Sequence, residues 1–281
     1  MSVSKVAKRR GEILDEIMAY HRERLPKVMR QVPIEDLRAF ASVGPPRLDL
    51  YKALKQPGVS LIAECKKASP SRGLIAANYD PQLLAQTYID AGASAISVLT
   101  DSRHFQGTLD DLRSVKEVVL EKQSEGARDG VPVLRKDFIF HPYQVYEAHV
   151  AGADALLLIV RVLSDSELHD LLRLTHKLGM KALVEVHTAE EMARALAEDP
   201  QIVGVNNRNL QTFEVDFDNT ARLRDMVPAD VAMVGESGIK SADDVVRMAD
   251  IGVDAILVGE TLVRSKDIYQ TAGSFVAAGQ V

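Results

Sequence analysis

The chain has no tryptophan, a single cysteine, no apolar run longer than the six residues from Ala155 to Val160, and no excess of positive charge. Each shortage removes a class of protein. Cys65 has no partner for an internal disulfide, and no Cys/His spacing resembles a zinc site, which fits a reducing cytoplasm. The longest apolar run is far short of the roughly 20 residues that cross a bilayer. With 34 Lys plus Arg against 40 Asp plus Glu the net charge is −6, so the basic face that displaces counterions from nucleic acid is missing. Near the N-terminus Lys5, Lys8, Arg9 and Arg10 hint at a transit peptide, but Glu12, Asp15 and Glu16 follow at once with no apolar core, which reads as a surface helix.

What is present is an ordinary globular composition, 46% hydrophobic and 26% charged, over 281 residues. That length suits two domains of roughly 150 residues or one α/β barrel of about 250. A recurring phrase decides between them: Ala91-Gly-Ala-Ser-Ala-Ile-Ser-Val-Leu99, Ala151-Gly-Ala-Asp-Ala-Leu-Leu-Leu-Ile159 and Ile251-Gly-Val-Asp-Ala-Ile-Leu-Val258. Each reads as a helix ending at Gly, a small-residue turn, and a strand apolar on both faces, the mark of a parallel sheet covered by helices. Similar strands fall at Val59–Cys65, Val131–Arg135, Ala182–Val186, Ile202–Asn206 and Val231–Gly235, making eight. Helical patterns separate them, from Pro81–Asp90 to Asn219–Met226 and Ala242–Ala249, several preceded by capping residues such as Asp80, Ser164, Thr188 and Ser241. Strict alternation predicts a single (β/α)8 barrel over residues 59–281. A doubly wound open sheet is disfavoured because no Gly-x-Gly-x-x-Gly follows a strand and polar residues close nearly every strand. Residues 1–58 read as a helical extension packed on the barrel, with Ile13, Leu14, Ile17 and Met18 at helical spacing between Glu12 and Tyr20, a short helix over Ile34–Phe40, and Lys52–Gly58 as the link.

Active sites of such barrels lie at the C-terminal strand ends, and alternation sorts the residues there into inward and outward sets. Glu64 and Lys66 close the first strand on the inward face while Cys65 faces the helices, and Ser69-Pro70-Ser71-Arg72-Gly73 looks like a mobile loop able to close over a substrate. On the third strand Lys136 and Phe138 place an ammonium beside an apolar ring; such a lysine acts as a general acid where a desolvated setting lowers its pKa. Glu185 points inward as a candidate general base or a partner of Lys136, and Asn206 and Arg208 share the inner side, Arg suiting a carboxylate or phosphate. Glycines after the seventh and eighth strands, Gly235, Gly238 and Gly259, let backbone N–H groups approach an anion, pointing to a phosphorylated substrate. His169 and His176, seven apart on one helix, read as surface residues, and no carboxylate–histidine cluster suggests a metal.

These phrases together resemble the indole-3-glycerol phosphate synthase family. The match runs through Ile62-Ala63-Glu64 with Lys66 and Ser69-Pro70-Ser71, Val98 to Asp101 with Phe105-Gln106-Gly107, Leu134 to Phe138, Leu183 to His187, Gly204 to Leu210, Gly235 to Ile239 and Val258 to Glu260. The resemblance implies a cofactor-independent enzyme that cyclises 1-(2-carboxyphenylamino)-1-deoxyribulose 5-phosphate with loss of carbon dioxide and water. It implies Lys136 as the acid for ring closure, Glu185 as the base for dehydration, Lys66 as a second acid or carboxylate partner, and Glu64 and Asn206 as the groups holding them. Phe138 would pack on the anthranilate ring with Arg208 near its carboxylate, and Ser69, Glu236 and Leu257 would also touch substrate. Ser237, Gly238, Gly259 and Glu260 would bind phosphate through backbone donors, the Glu260 carboxylate itself being repelled by the ligand. The family's N-terminal extension tends to cover the barrel mouth.

Three other readings stay in view. A phosphosugar isomerase needs an acid–base pair but not two inward lysines. A Schiff-base aldolase would use Lys136 covalently, and a catalytically silent phosphate-binding barrel would have no need of Glu185. A monomer is the favoured oligomeric reading, with no nucleic-acid or membrane partner.

Overall fold

The computed structural model describes residues 13–41, 47–126, 130–209 and 214–280; Lys5, Lys8, Arg9, Arg10, Glu12 and Leu210 lie outside them. The eight strands are β1 (Ser60–Cys65), β2 (Ala95–Leu99), β3 (Val133–Lys136), β4 (Ala155–Ile159), β5 (Lys181–Val186), β6 (Ile202–Asn206), β7 (Ala232–Glu236) and β8 (Ala255–Val258). All pair in parallel, and the sheet closes because β1 pairs with both β2, Ile62 opposite Ala95, and β8, Ser60 opposite Ala255. This is the (β/α)8 barrel that the repeated phrase predicts. β3 starts later than Val131 because Pro132 has no N–H to give the ladder.

Alternation divides the strands cleanly. Ile62, Leu134, Leu157, Leu183, Val234 and Leu257 fill the barrel interior, while their neighbours Leu61, Val133, Leu156, Val184, Met233 and Ile256 pack outward under the helices. The repeated phrase has a physical meaning at the bottom of this interior. Its glycines, Gly92, Gly152 and Gly252, take left-handed φ between 85 and 96° to end each helix. Its inward alanines, Ala95, Ala155 and Ala255, are small enough to admit Leu50 and Leu54, both fully buried.

Among the described residues three helices precede β1: α1 (Ile13–Gln31), α2 (Ile34–Ala41) and α3 (Leu50–Leu54). They go to opposite ends. The i, i+4 pair Leu50 and Leu54 makes α3 the plug of the barrel floor, its N-terminus capped by the Asp49 side chain on Lys52 N, so the stretch read as a link carries the last turn of a helix. Fully burying two leucines stabilises the fold by about 1.5–3 kcal/mol each. α1 lies at the mouth and runs well past Tyr20, through Pro26. Its buried stripe Leu14, Ile17, Met18, His21 and Leu25 continues the helical period and offsets a proline cost of about 3 kcal/mol. α2 packs on α6 (Pro142–Val150), where Leu25, Leu37 and Tyr143 form a small cluster. Among the described residues no helix is long and apolar enough to cross a membrane.

Candidate active site

At the C-terminal ends of the strands the interior changes from hydrocarbon to charge. Continuing inward from Ile62, Leu134, Leu183 and Val234 come Glu64, Lys136, Glu185 and Glu236, each at most 9% exposed. Lys136 Nζ donates to Glu185 Oε2 at 3.0 Å and also to Glu236 Oε2. Lys66 Nζ lies 2.6 Å from Glu64 Oε1. Asn206 hydrogen-bonds the Glu185 carboxylate with its side chain, while its Oδ1 accepts from Arg208 N at 3.0 Å. Room for these acids comes from two glycines. A Cβ at Gly204 would overlap Glu236 Oε1 and one at Gly259 would overlap Glu64 Oε1, so Gly259 has a steric duty besides any anion contact.

Burial alone would push the Lys136 ammonium below its ordinary value, but Glu185, Glu236 and Glu64 outweigh it and hold it above. This corrects the expectation of a lysine lowered by desolvation: three carboxylates surround it, not an apolar pocket. Burial likewise pushes Glu185 up, yet Lys136, His187 and the Asn206 hydrogen bond keep it below the usual carboxylate range. Glu236 goes the other way. Burial, together with the charges of Glu185 and Glu64, raises it to about 7 against the pull of Lys136.

The charged cluster floors one cavity of about 800 Å³ whose walls include Leu157, Ile159, Phe105 and Phe138. The residues assigned to catalysis, substrate and phosphate all line it: Glu64, Lys66, Ser69, Lys136, Phe138, Glu185, Asn206, Arg208, Glu236, Ser237, Gly238, Leu257, Gly259 and Glu260; Gly235, read with Gly238 and Gly259 as an anion contact, does not, because its open side packs against Met248. Directly after Glu236, Ser237 and Gly238 both take left-handed φ, 66° and 93°, which for the serine costs ~1–3 kcal/mol. Gly259 begins the short helix α11 (Glu260–Val263) without a side-chain cap, leaving its first N–H groups at the cavity wall. The Glu260 carboxylate pairs with Arg264 at 3.1 Å and Arg72 at 3.4 Å, so two guanidiniums screen the repulsion expected of it. Arg72 belongs to the loop after β1, where Ala68–Ser69 and Gly73–Leu74 form a two-residue hairpin.

Family-model matching and relatives agree with this geometry. The model of the indole-3-glycerol phosphate synthase family matches residues 14–275. The indole-3-glycerol phosphate synthase of Dehalococcoides mccartyi (strain CBDB1) is 47% identical over 91% of this chain and 96% of its own. The chain belongs to the indole-3-glycerol phosphate synthase family. The synthase of Mycobacterium ulcerans (strain Agy99) is 45% identical over 95% of this chain and 94% of its own. Among solved structures, thiamine phosphate pyrophosphorylase from Pyrococcus furiosus superposes with a TM-score of 0.60 at 12% identity, over 82% of this chain and 97% of that one, a likeness of fold.

The N-terminal helix reaches the cavity. Ile13, Leu14 and Ile17 of α1 line the cavity. α1 is docked by a buried link that no local spacing announces. His21 Nε2 lies 2.7 Å from Asp101 Oδ2, and Asp101 Oδ1 accepts from His104 N and Phe105 N at 2.5 and 3.0 Å. Although burial pushes Asp101 up, these hydrogen bonds hold it at about 2. The His21 ring also sits 5.5 Å from that of Phe138. The inward place of Glu236 was readable, since Glu236 follows Val234 on the inward face; its charge pairing with Lys136 across β3 and β7 was not. Cys65 is buried on the outer face, and His169 and His176 are exposed. Among the described residues no His/Cys/Asp/Glu group is arranged to hold a metal ion.

Proposed function

We propose that this chain is an indole-3-glycerol phosphate synthase, a carboxy-lyase that closes the ring of 1-(2-carboxyphenylamino)-1-deoxyribulose 5-phosphate with its own side chains as acid and base. The observation that carries this reading is the Lys136 ammonium, buried between Glu185 and Glu236 in a partly apolar-walled cavity that the uncapped start of α11 also lines. Ring closure joins the aryl carbon that bears the carboxylate to the ketone carbon. Lys136, kept protonated by its carboxylates, donates to the ketone oxygen as the bond forms. Loss of carbon dioxide restores the aromatic ring. Departure of the hydroxyl as water then needs a base, and Glu185, kept ionised, takes the ring proton while Lys66 or Lys136 supplies the acid. Glu64 and Asn206 hold the lysine and the carboxylate, Phe138 and Leu257 pack the aromatic part, and Arg208 faces its carboxylate. Ser69 and Glu236 complete the wall, and the N–H groups of Ser237, Gly238, Gly259 and Glu260 take the phosphate. No step transfers an electron pair to or from a cofactor. We further infer a cytoplasmic monomer, with α1 as part of the substrate wall.

A Schiff-base lysine must spend time as a neutral amine, and two carboxylate partners oppose that, so the aldolase reading loses its nucleophile. Incubating the protein with the carboxyphenylamino substrate in chelator-treated buffer tests the function. The chain has no tryptophan, so indole fluorescence reports product alone. Fluorescence should rise with time; a folded protein that gives none refutes the reading.

A further inference from the structure

One buried titratable side chain beside the cluster has no part in the chemistry above. His187 follows the last residue of β5, two beyond Glu185. Its backbone is pinned on two sides. The N–H donates to Glu191 Oε2 at 2.7 Å, and the carbonyl accepts from Asn219 Nδ2 at 3.1 Å. The ring is held between two carboxylates, Nε2 lying 3.6 Å from Glu185 Oε1 and Nδ1 lying 3.4 Å from Glu191 Oε2. Among the described residues neither ring nitrogen has a hydrogen-bond partner. A neutral imidazole left so would carry the full penalty of buried, unmatched polar atoms. An imidazolium with an N–H toward each acid is the form the site favours.

We infer that His187 is a positioning residue for Glu185: its imidazolium holds Oε1 of the carboxylate as Lys136 holds Oε2, keeping the base oriented and negatively charged. The inference rests on the reaction proposed above. The surrounding charges support it. Facing the imidazole are Glu191 on α8 (Ala189–Leu196), Glu185 on β5 and Glu236 on β7, with Lys136 on β3 acting on Glu185 and Arg161, in the turn after β4, acting on Glu191. Burial pushes His187 down, but the three carboxylates outweigh it and raise it. In turn His187 is among the groups that keep Glu185 low. Charge on one group therefore sustains charge on the other across Oε1, outside the substrate cavity.

The test is the pH profile of kcat for wild type, His187→Asn, Glu191→Gln and the double variant, each checked for native circular dichroism. Wild-type turnover comes first: its absence refutes the reaction and this inference with it. With turnover present, the acid limb in His187→Asn should move to higher pH by about one to three units, the shift an opposite charge at this range produces. KM should stay near the wild-type value. Glu191→Gln, which weakens the imidazolium without touching Glu185, should move the limb the same way by less, and adding it to His187→Asn should change nothing more. If His187→Asn does not fold, the Glu191→Gln limb alone decides. An acid limb that stays in place, or a raised KM at unchanged kcat, overturns the assignment and leaves the reaction standing.

Discussion

Two buried lysines mark the two ends of this barrel, and their surroundings differ in kind. At the N-terminal end of the strands Lys116, on α5 (Leu109–Ser124), meets one carboxylate, Asp154, at 2.7 Å. Asp154 also accepts from Val133 N and Leu48 N, so its bonds tie α5, β3 and the segment before α3 together. At the C-terminal end Lys136 faces three carboxylates. Burial and the charge of Arg47 lower Lys116 against the pull of a single acid, whereas at Lys136 three acids overturn the effect of burial. At one end a lysine–aspartate pair with the Arg47 guanidinium nearby holds elements in place. At the other, three carboxylates converging on one ammonium store a protonated donor where an incoming ketone can meet it. The cost of the second arrangement is borne by the apolar floor beneath, with Leu50 and Leu54 at its base.

The largest expected effect falls on the charged end. Lys136→Ala should lower turnover by about 10²–10⁴-fold while inorganic phosphate still binds; a matching loss of phosphate affinity would mean that the lysine serves binding. Next, Asp154→Ala strands Lys116 as an unpaired buried charge and should cost about 3–5 kcal/mol of stability, read by urea unfolding, with turnover unchanged where the protein is folded. Leu54→Ala should empty part of the floor and cost about 2–5 kcal/mol, depending on how far the alanine ring around it collapses. The smallest effect is one of slope. Glu236 is raised from 4.5 to about 7 in the folded state, so between those pH values the native protein keeps a proton that the unfolded chain has released, and stability falls as pH rises. Glu236→Gln removes that fall. Measured at pH 5 and 7.5, the variant should gain on wild type as pH increases; an unchanged difference would mean Glu236 is ionised throughout.

The barrel was legible because its phrase repeats, with Gly92, Gly152 and Gly252 ending helices and alanines opening the strands. The inward acids and lysines were legible from alternation alone, since Glu64, Lys136, Glu185 and Asn206 each sit two residues beyond an interior position. Their pairing was not. Lys136 and Glu236 are a hundred residues apart, and whether a buried lysine is lowered or raised depends on how many acids converge on it, which no local pattern contains. α3 was hidden for the same reason: Leu50 and Leu54 are an apolar pair in a short segment until the alanines of three distant strands make a hole for them. Pro26 misdirects, because it signals a break that the buried stripe from Leu14 to Leu25 overrides.

The division of labour between the two ends is tested most directly by the same substitution at both lysines. For Lys136→Met and Lys116→Met, kcat and the free energy of urea unfolding are measured side by side with wild type. Lys136→Met should lose about 10²–10⁴-fold in kcat. Lys116→Met should lose several kcal/mol of stability, about 3–5, with kcat near wild type at temperatures where it is folded. If both variants lose rate and stability in the same proportion, the ends are not specialised and the assignment of chemistry to the Lys136 cluster is wrong.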